Sequence, residues 1–161
     1  CPEKGVISLS NSDMEFSYRT SICQKKPYSV LEAEFVLTPS TKEKIQEKMN
    51  ENLSFRQNKQ PSLTLPNCGS TFRNPQGDSA GRLLDEAGVK GLKIGGAHVW
   101  ENHANFIIND GEATSLDILK LMDEMYSRVK DKFDIELKPE VRYLGGNNEE
   151  EVKICKKLKL I

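Results

Sequence analysis

Three polar side chains lie where predicted loops or strand ends would hold them in place for chemistry: Arg19, Ser70 and Glu140. A guanidinium binds a carboxylate or phosphate through paired hydrogen bonds, so an arginine at such a position is a natural anion clamp. The hydroxyl of Ser70 follows Gly69, and a residue without Cβ lets the backbone come close to whatever that hydroxyl faces. Glu140 follows Pro139 and opens a predicted strand with a carboxylate. The sequence therefore offers an anion clamp, a hydroxyl and a carboxylate as candidate site groups.

The segment around Ser70, residues 68–75, reads C-G-S-T-F-R-N-P. The residue before a proline is pushed toward extended geometry, so residues 72–75 are predicted to form a stiff extended loop. A fixed loop of this kind can present a positioned hydroxyl. Gly69-Ser70 and Asn74-Pro75 are also common in ordinary turns, so a purely structural turn stays an alternative.

Arg19 and Glu140 have structural interpretations as well. Arg19 lies among aromatic and hydroxyl residues and could stack on Tyr18 or pair with Glu15. Glu140 and Arg142 are two positions apart in a predicted strand, so they point to the same face and could form a surface ion pair. The residue types alone do not decide between these alternatives.

The two histidines, His98 and His103, invite a metal site or a serine triad. Their separation of five positions does not match the i, i+4 pair of helical metalloprotease sites, and no third ligand stands nearby in the sequence. Ser70 lies in G-S-T-F, not in the G-x-S-x-G turn of many serine hydrolases. We therefore predict partly exposed structural histidines and no metal, and a hydrolase assignment has no motif to support it.

Charge and hydrophobicity exclude some classes of partner. The 161 residues carry 23 Lys and Arg against 24 Asp and Glu, a formal net charge of −1. That balance gives no general electrostatic reason to bind nucleic acid or an acidic membrane, so an anionic ligand must be held by local groups. No apolar run has the length needed to span a bilayer. The chain length fits one domain, or one domain with part of a neighbour.

Cysteine usage and the N-terminus predict a cytoplasmic location. The four cysteines are scattered and form no C-x-x-C pair, which favours free thiols in a reducing compartment. The chain begins Cys1-Pro2-Glu3-Lys4, without an initiator Met or a signal-peptide pattern. We therefore expect a processed chain or a fragment of a longer protein.

The N-terminal part predicts a strand, a helix and a boundary. Apolar and acidic residues alternate within residues 28–37, which is the pattern of a half-buried strand. Thr38-Pro39 then resembles a helix start, and the spacing predicts a helix over residues 39–57. Residues 58–67 are rich in turn formers and mark the best boundary in the chain. The apolar stripe of the predicted helix consists of Ile45, Met49 and Leu53.

A short helix and a tight turn follow the segment around Ser70. Asp78 is the candidate N-cap of a helix that Gly88 would end in a left-handed conformation. Residues 91–97 are rich in glycine but lack the spacing and the lysine-hydroxyl ending of a phosphate-binding loop. They are therefore interpreted as a tight turn or bulge between two short strands.

The last third of the chain predicts two strands and two helices. Residues 105–109 form a predicted buried strand, and Thr114 or Ser115 begins a long amphipathic helix. The methionines on its stripe are interpreted as core packing and not as a ligand site. Residues 140–144 predict a final strand, and the charged residues after Gly146 predict a frayed amphipathic helix.

Seven short motifs, taken in their order, are more specific than any one of them. They are Tyr18-Arg19-Thr20-Ser21, Lys59-Gln60-Pro61, residues 68–75, Ala80-Gly81-Arg82-Leu83-Leu84, Gly95-Gly96-Ala97, His103-Ala104-Asn105-Phe106 and Pro139-Glu140-Val141-Arg142. Over about residues 16–145 the chain resembles the UDP-N-acetylenolpyruvoylglucosamine reductases. These flavoenzymes of peptidoglycan synthesis are also called UDP-N-acetylmuramate dehydrogenases.

The resemblance implies an α+β fold: the C-terminal part of an FAD-binding PCMH-type domain followed by a small α+β substrate-binding domain. Residues 1–60 would belong to the first, residues 61–145 to the second, and residues 146–161 would form a C-terminal tail. The chain resembles the shorter subgroup of the family, which lacks a tyrosine-bearing insert that closes over the substrate. The family's glycine-rich FAD-binding segments lie mostly before the Y-R-x-S motif, so an upstream region is an implied partner.

The resemblance also implies roles for the three candidate residues. In this family FAD, reduced by NADPH, gives a hydride to C3 of the enolpyruvyl group of a UDP-sugar, and a serine protonates C2. By matching position that serine is Ser70. Arg19 and Glu140 would flank the enolpyruvyl carboxylate and stabilise the enolic intermediate.

Further contacts follow from the same matching positions. Lys59 and Asn74 fall where the family contacts the diphosphate of the substrate, with Arg73 as an alternative. Tyr18 is a further expected substrate contact, and Arg142 is an expected cofactor contact. No metal is implied.

The resemblance therefore implies part of a cytoplasmic, NADPH-dependent flavin oxidoreductase. This polypeptide alone is expected to hold FAD weakly and to lack reductase activity. The alternative is a UDP-sugar-binding module or a catalytically degenerate homologue, although the presence of Arg19, Ser70 and Glu140 together argues against degeneration. A serine hydrolase is a more distant alternative.

Overall fold

The computed structural model describes residues 5–62, 64–145 and 148–161. The chain divides into two compact units, Cys1–Lys42 and Glu43–Ile161. The domain boundaries expected after residues 60 and 145 stay predictions. The α+β class is confirmed, because the second unit combines a four-stranded antiparallel sheet with helices.

The first unit contains little regular structure. Ser17 and Thr20 exchange two backbone hydrogen bonds of 3.1 Å, which close a two-residue turn formed by Tyr18 and Arg19. A short 3₁₀ helix, Ile22–Gln24, follows, and its Ile22 side chain is buried. The turn and the short helix hold the Arg19 segment.

The strand predicted over residues 28–37 is wrong. The structure assigns neither helix nor strand to these residues, and Leu31 and Phe35 are 77% and 76% exposed. Alternation is a necessary condition for a half-buried strand, but a strand also needs a neighbour for its backbone and a surface for its apolar face. Within the described part of the first unit, no strand pairs with this segment.

The helix predicted over residues 39–57 is confirmed with shifted ends. Helix α1 spans Lys42–Lys59, so it begins three residues after Pro39. Its apolar stripe is not buried: Ile45, Met49 and Leu53 are each about half exposed.

The second unit is built on a short sheet with strand order β1-β4-β3-β2. The turn predicted from its paired glycines is confirmed, because Ile94 pairs with Ala97 and leaves Gly95-Gly96 as a two-residue connection. The buried strand predicted over residues 105–109 is confirmed as well. The strands are β1 Asn67–Ser70, β2 Lys93–Ile94, β3 Ala97–Val99 and β4 Phe106–Asn109.

Helix α2, Ala80–Glu86, lies between β1 and β2 in sequence, and helix α3, Ser115–Phe133, follows β4. Thr114 caps α3 as predicted, in a reciprocal pair of hydrogen bonds with Asp117 of 2.9 and 3.1 Å. The cap predicted for α2 is wrong by one residue. Ser79 accepts from the backbone N–H of Arg82, and the Asp78 carboxylate instead binds the Arg82 guanidinium.

The core of the second unit lies between the sheet and these helices. The methionines of α3, Met122 and Met125, are at most 1% exposed, which confirms their interpretation as core packing. Gly88 adopts the predicted left-handed conformation after α2, with φ of +70°. Other fully buried members of the core are Leu83, Leu84, Val89, Val99, Leu121 and Val129.

The final strand predicted over residues 140–144 is wrong. Residues 140–144 are not a strand. The bridge next to them joins Pro139 to Phe72 in an isolated antiparallel pair, and the residues after Glu140 leave this pairing. The physical reason is an irregularity in β1, where the register shifts between Asn67 and Ser70. A bulged edge offers no regular row of partners beyond that point.

The C-terminal residues form a packed helix, α4 Glu149–Lys157, where a frayed one was predicted. Cys155 is fully buried in the core, so the helix has a firm hydrophobic contact. Glu151 is also buried, and its carboxylate accepts hydrogen bonds from Ser115 and, at 2.5 Å, from the Tyr143 hydroxyl. These two hydroxyls hold the pKa of Glu151 below its usual range, so it stays ionised inside the fold.

Substitution of Gly96 by alanine is expected to lower the free energy of unfolding by about 3 kcal/mol, at the upper end of overpacking effects. A Cβ at Gly96 would lie 2.5 Å from the backbone nitrogen of Ala113 and 2.7 Å from the carbonyl carbon of Glu112. Backbone atoms cannot rotate away as a side chain can. Urea denaturation measures the change.

Gly88→Ala is the control, because nothing lies within 4 Å of its Cβ position and only its left-handed backbone is strained, at about 1 kcal/mol. Equal losses in the two variants would contradict this prediction.

Candidate functional site

Ser70 lies at the end of β1, directly after the bulge. Gly69 adopts φ of +80°, a left-handed conformation that favours glycine, and its amide donates to Asn67 Oδ1 at 2.9 Å. Ser70 pairs with Phe106 of β4 and is partly exposed. Nothing lies within 4 Å of a Cβ position at Gly69. In the predicted stiff loop of residues 72–75, Phe72 forms an isolated bridge and residues 73–75 are neither helix nor strand, whereas Ser70 lies at a bulged strand end.

The next three residues bring Glu140 beside Ser70. Glu140 donates its backbone N–H to the carbonyl of Thr71 at 2.8 Å, and Arg73 donates to the carbonyl of Lys138 at 2.8 Å. These bonds make residues 138–140 an antiparallel neighbour of residues 71–73. The structure therefore brings the backbone segments that carry Ser70 and Glu140 together.

Arg19 has an unusual backbone for its residue type. Its φ of +59° is left-handed, a conformation that costs a non-glycine residue about 1–2 kcal/mol. The carbonyl of Arg19 accepts from Gln24 Nε2 at 3.3 Å, and Gln24 Oε1 accepts from the Ser21 amide at 2.7 Å. Glu15, the alternative partner for Arg19 from the sequence, forms an ion pair of 2.6 Å with Lys25. These bonds fix the backbone of Arg19 at the turn.

The expected substrate contacts are on exposed parts of the chain. Lys59 is the last residue of α1, and Arg73 is exposed beside a surface groove of about 290 Å³. Asn74 uses its side-chain carbonyl to accept from the Ala80 amide at 3.0 Å, which leaves its NH₂ group as a donor for a ligand. Tyr18 is 71% exposed.

Arg142 is exposed in the segment that follows Glu140. Tyr18 and Arg19 belong to the first unit, whereas Ser70, Glu140 and Arg142 belong to the second. That all these residues meet at one site stays a prediction.

Asn105 is a buried polar residue to which the sequence analysis assigned no role. It is 3% exposed, and its side-chain amide binds the backbone of Phe72 at both ends. The contact joins residues 33 positions apart, so no local pattern announces it. The feature of the sequence that could have pointed to Asn105 is its place in the H-A-N-F motif.

The histidines have structural contacts, as the sequence analysis expected. His98 Nδ1 lies 2.9 Å from Asp110 Oδ1. His103 packs edge-on against Phe106 with ring centres 5.0 Å apart, and its Nδ1 accepts from the Asn105 amide at 3.2 Å. Among the described residues, no three His, Cys, Asp or Glu side chains are grouped so that they could hold a metal ion.

Burial lowers the pKa of His103, and the nearby positive charges of Lys90 and Lys59 act in the same direction. As the pH falls below about 6.5, the unfolded chain therefore takes up this proton first. The free energy of unfolding should fall from that pH down to the folded pKa, and this contribution should then become constant. His103→Asn keeps an acceptor for the Asn105 amide but does not titrate. Urea unfolding between pH 7 and 5 should show a smaller loss in this variant, and identical pH profiles would contradict the assignment.

The fold and the site define an α+β domain in which a serine on a bulged strand end lies beside a glutamate on a neighbouring segment. Residues 60–144 match the family model described as UDP-N-acetylenolpyruvoylglucosamine reductase, C-terminal domain. The chain belongs to this family.

Curated relatives and a solved structure agree with this assignment. The chain is 46% identical over 143 residues to the UDP-N-acetylenolpyruvoylglucosamine reductase of Lachnoclostridium phytofermentans, covering 89% of this chain and 46% of the relative. The reductase of Bacillus subtilis is 45% identical over 147 residues, covering 90% and 48%. The crystal structure of the reductase (MurB) from Thermus caldophilus matches with a TM-score of 0.59 and 34% identity, over 78% of this chain and 44% of that chain.

The chain spans about half the length of the curated relatives it matches. In the part of the chain that the structure describes, every helix is too short or too polar to cross a membrane.

Proposed function

We propose that the protein containing this chain reduces UDP-N-acetylglucosamine enolpyruvate to UDP-N-acetylmuramate with NADPH and FAD, in the cytoplasm, as a step of peptidoglycan precursor synthesis. One observation carries the proposal: within the family-matched residues 60–144, Glu140 is hydrogen-bonded to Thr71, the residue after Ser70. The backbone segments that carry these two residues are therefore neighbours, which supports the proposal that their side chains share one site. We assign the chain to the shorter subgroup of the family, without the tyrosine-bearing insert.

The flavin would be held mainly by residues outside this chain. Within it, Arg142 is exposed, and a guanidinium is suited to an anionic or carbonyl oxygen of a bound flavin. Ser70 is partly exposed, so its side chain can face a bound ring system. These features fit a flavin, which when bound and reduced supplies the hydride that adds to C3 of the enolpyruvyl group.

Ser70 is the group that we assign to proton transfer. Hydride addition leaves excess electron density at C2 of the substrate, so a strongly basic carbon forms. A serine hydroxyl is a weak acid and can donate effectively only to so basic an atom. The bulge before Ser70 fixes the backbone that carries the hydroxyl.

Arg19 and Glu140 are assigned to the enolpyruvyl carboxylate. The charge that develops on the substrate is shared with this carboxylate, so fixed donors aimed at its oxygens lower the barrier. Arg19 supplies a permanent positive charge, since a guanidinium keeps its proton at neutral pH. Glu140 lies on the opposite side of residues 71–73 from β4 and would complete the wall of the site.

The remaining assigned residues bind the rest of the substrate. Lys59 and the free NH₂ group of Asn74 are assigned to the diphosphate, with Arg73 as the alternative cation. Tyr18 is exposed beside Arg19 and is assigned to the same ligand. Their role is to hold the enolpyruvyl group in register with Ser70.

An NADPH oxidation assay of the intact, FAD-loaded protein tests the proposed function. Oxidation should require UDP-N-acetylglucosamine enolpyruvate. UDP-N-acetylglucosamine, which lacks the reducible double bond, is the matched control and should not support it. Equal rates with both compounds, or no oxidation with either, would overturn the proposal.

We also propose that this chain alone lacks the activity, because it spans about half the length of the related reductases. Purified alone, it should be colourless and should not oxidise NADPH. A yellow preparation with flavin absorbance would contradict this part of the proposal.

A further inference from the structure

The side chain of Asn105 forms a two-ended clamp on the backbone of Phe72. Its Oδ1 accepts from the Phe72 amide at 2.9 Å, and its Nδ2 donates to the Phe72 carbonyl at 2.8 Å. The backbone carbonyl of Asn105 also accepts from the Thr71 amide at 2.8 Å. Both clamped residues are at most 1% exposed, so water cannot replace these bonds.

The clamp acts on the residues that connect Ser70 to Glu140. Phe72 is two positions after Ser70, and the Thr71 carbonyl accepts from the Glu140 amide. The clamp lies on one edge of this short segment and residues 138–140 lie on the other. A shift of residues 71–72 would therefore move the serine and the glutamate together.

A side-chain clamp is needed here because β1 is irregular. The register shift between Asn67 and Ser70 interrupts the ladder with β4. A side-chain amide offers one donor and one acceptor with the geometry of a peptide group, so Asn105 can continue the pairing where the strand backbone cannot. His103 holds Asn105 in turn, by accepting from its backbone amide.

We propose that Asn105 is a positioning residue that fixes the Ser70 hydroxyl and the Glu140 carboxylate in reacting geometry. The proposal rests on the proposed function and adds a residue to it. Asn105 acts through the backbone of residues 71–72 and touches neither substrate nor cofactor in this role. Displacement of reacting groups by about 1 Å can cost a factor of about 100 in rate, so loss of the clamp should lower kcat far more than KM.

The test compares Asn105→Leu and Asn105→Asp in the intact, FAD-loaded protein. Leucine removes both ends of the clamp, and kcat for substrate reduction should fall about 100-fold while flavin reduction by NADPH keeps its rate. Aspartate keeps the acceptor but donates to the Phe72 carbonyl only when it is protonated. The ratio of the Asn105→Asp rate to the wild-type rate should therefore rise as the pH falls, whereas the ratio for Asn105→Leu should stay constant.

Asn109→Leu is the matched control. Asn109 is the last residue of β4, the strand that begins directly after Asn105, and its Oδ1 accepts from the amides of Gly111 and Ala113 at 2.8 and 3.1 Å, not from residues 71–72. It should lose stability but keep kcat. Thermal unfolding of each variant shows that the assays use folded protein.

The results distinguish failure of the positioning role from failure of the proposed function. Wild-type kcat in folded Asn105→Leu, or a constant rate ratio for Asn105→Asp across pH, would overturn the positioning role. A wild-type protein without substrate-dependent turnover would overturn the proposed function instead. Hydrogen exchange at the Phe72 amide then still tests the clamp: it should become faster in Asn105→Leu, and unchanged protection would overturn the clamp itself.

Discussion

Substitution of Ser70 by alanine in the intact protein is expected to leave flavin reduction by NADPH unchanged and to slow reduction of the enolpyruvyl substrate by about 10²–10⁴-fold. The magnitude is that of removing a positioned general acid. The two half-reactions separate because Ser70 is assigned only to the proton that reaches C2. Stopped-flow absorbance of the flavin follows each half-reaction in the same preparation.

Two further variants make this result specific. Ser70→Cys keeps a proton donor of similar size at the bulged strand end and should retain measurable substrate reduction. Ser127→Ala removes another serine hydroxyl, one that contacts Lys157 on α4, and should leave both half-reactions unchanged. A normal second half-reaction in Ser70→Ala would show that the proton comes from another group.

Substitution of Arg19 by glycine is expected to separate stability from activity. Glycine adopts the left-handed conformation of residue 19 without strain, and this relief offsets what is lost with the side chain, so thermal stability should change little. Loss of the fixed charge should nevertheless lower kcat by about 10²–10³-fold, as for removal of one donor from a charge-stabilising site. Thermal unfolding and steady-state kinetics of the intact protein measure the two effects.

Glu15 offers a matched control for Arg19. It lies in the same unit, it also has a left-handed backbone with φ of +49°, and its carboxylate pairs with Lys25 and has no assigned role in the site. Glu15→Gly should relax the backbone in the same way and keep kcat. Arg19→Lys, which keeps the charge but not the planar fork, should fall between wild type and Arg19→Gly. Equal kcat values for Arg19→Gly and Glu15→Gly would contradict a role for Arg19.

Local patterns predicted most of the second unit. The Gly95-Gly96 turn, the Thr114 cap and the buried methionines of α3 each depend on residues close together in sequence, where turn chemistry and helical spacing act directly. Gly69 before Ser70 was also found in this way. Its left-handed conformation, with φ of +80°, is one that glycine adopts without strain.

The two wrong strand predictions have one physical cause. Residues 28–37 and 140–144 have strand-like sequences, but whether a strand forms depends on a partner edge that the segment itself does not encode. The sequence did not predict the Asn105 clamp for a related reason, because the clamp connects two distant segments through a side chain. Residue types and motif order singled out Ser70, Arg19 and Glu140 as candidates. The Asn105 clamp, which holds the backbone between Ser70 and Glu140, could be found only in the folded structure.

The hydrogen bond from the Tyr143 hydroxyl to Glu151 restricts the chain around Glu140. The chain around Glu140 is tied down at two points: its own backbone is bonded to Thr71, and three residues later Tyr143 is fastened to α4. A span this short between two attachments has few conformations left. The C-terminal helix therefore works as a remote anchor, and a truncation that removed it would release one end of the glutamate segment without touching the site.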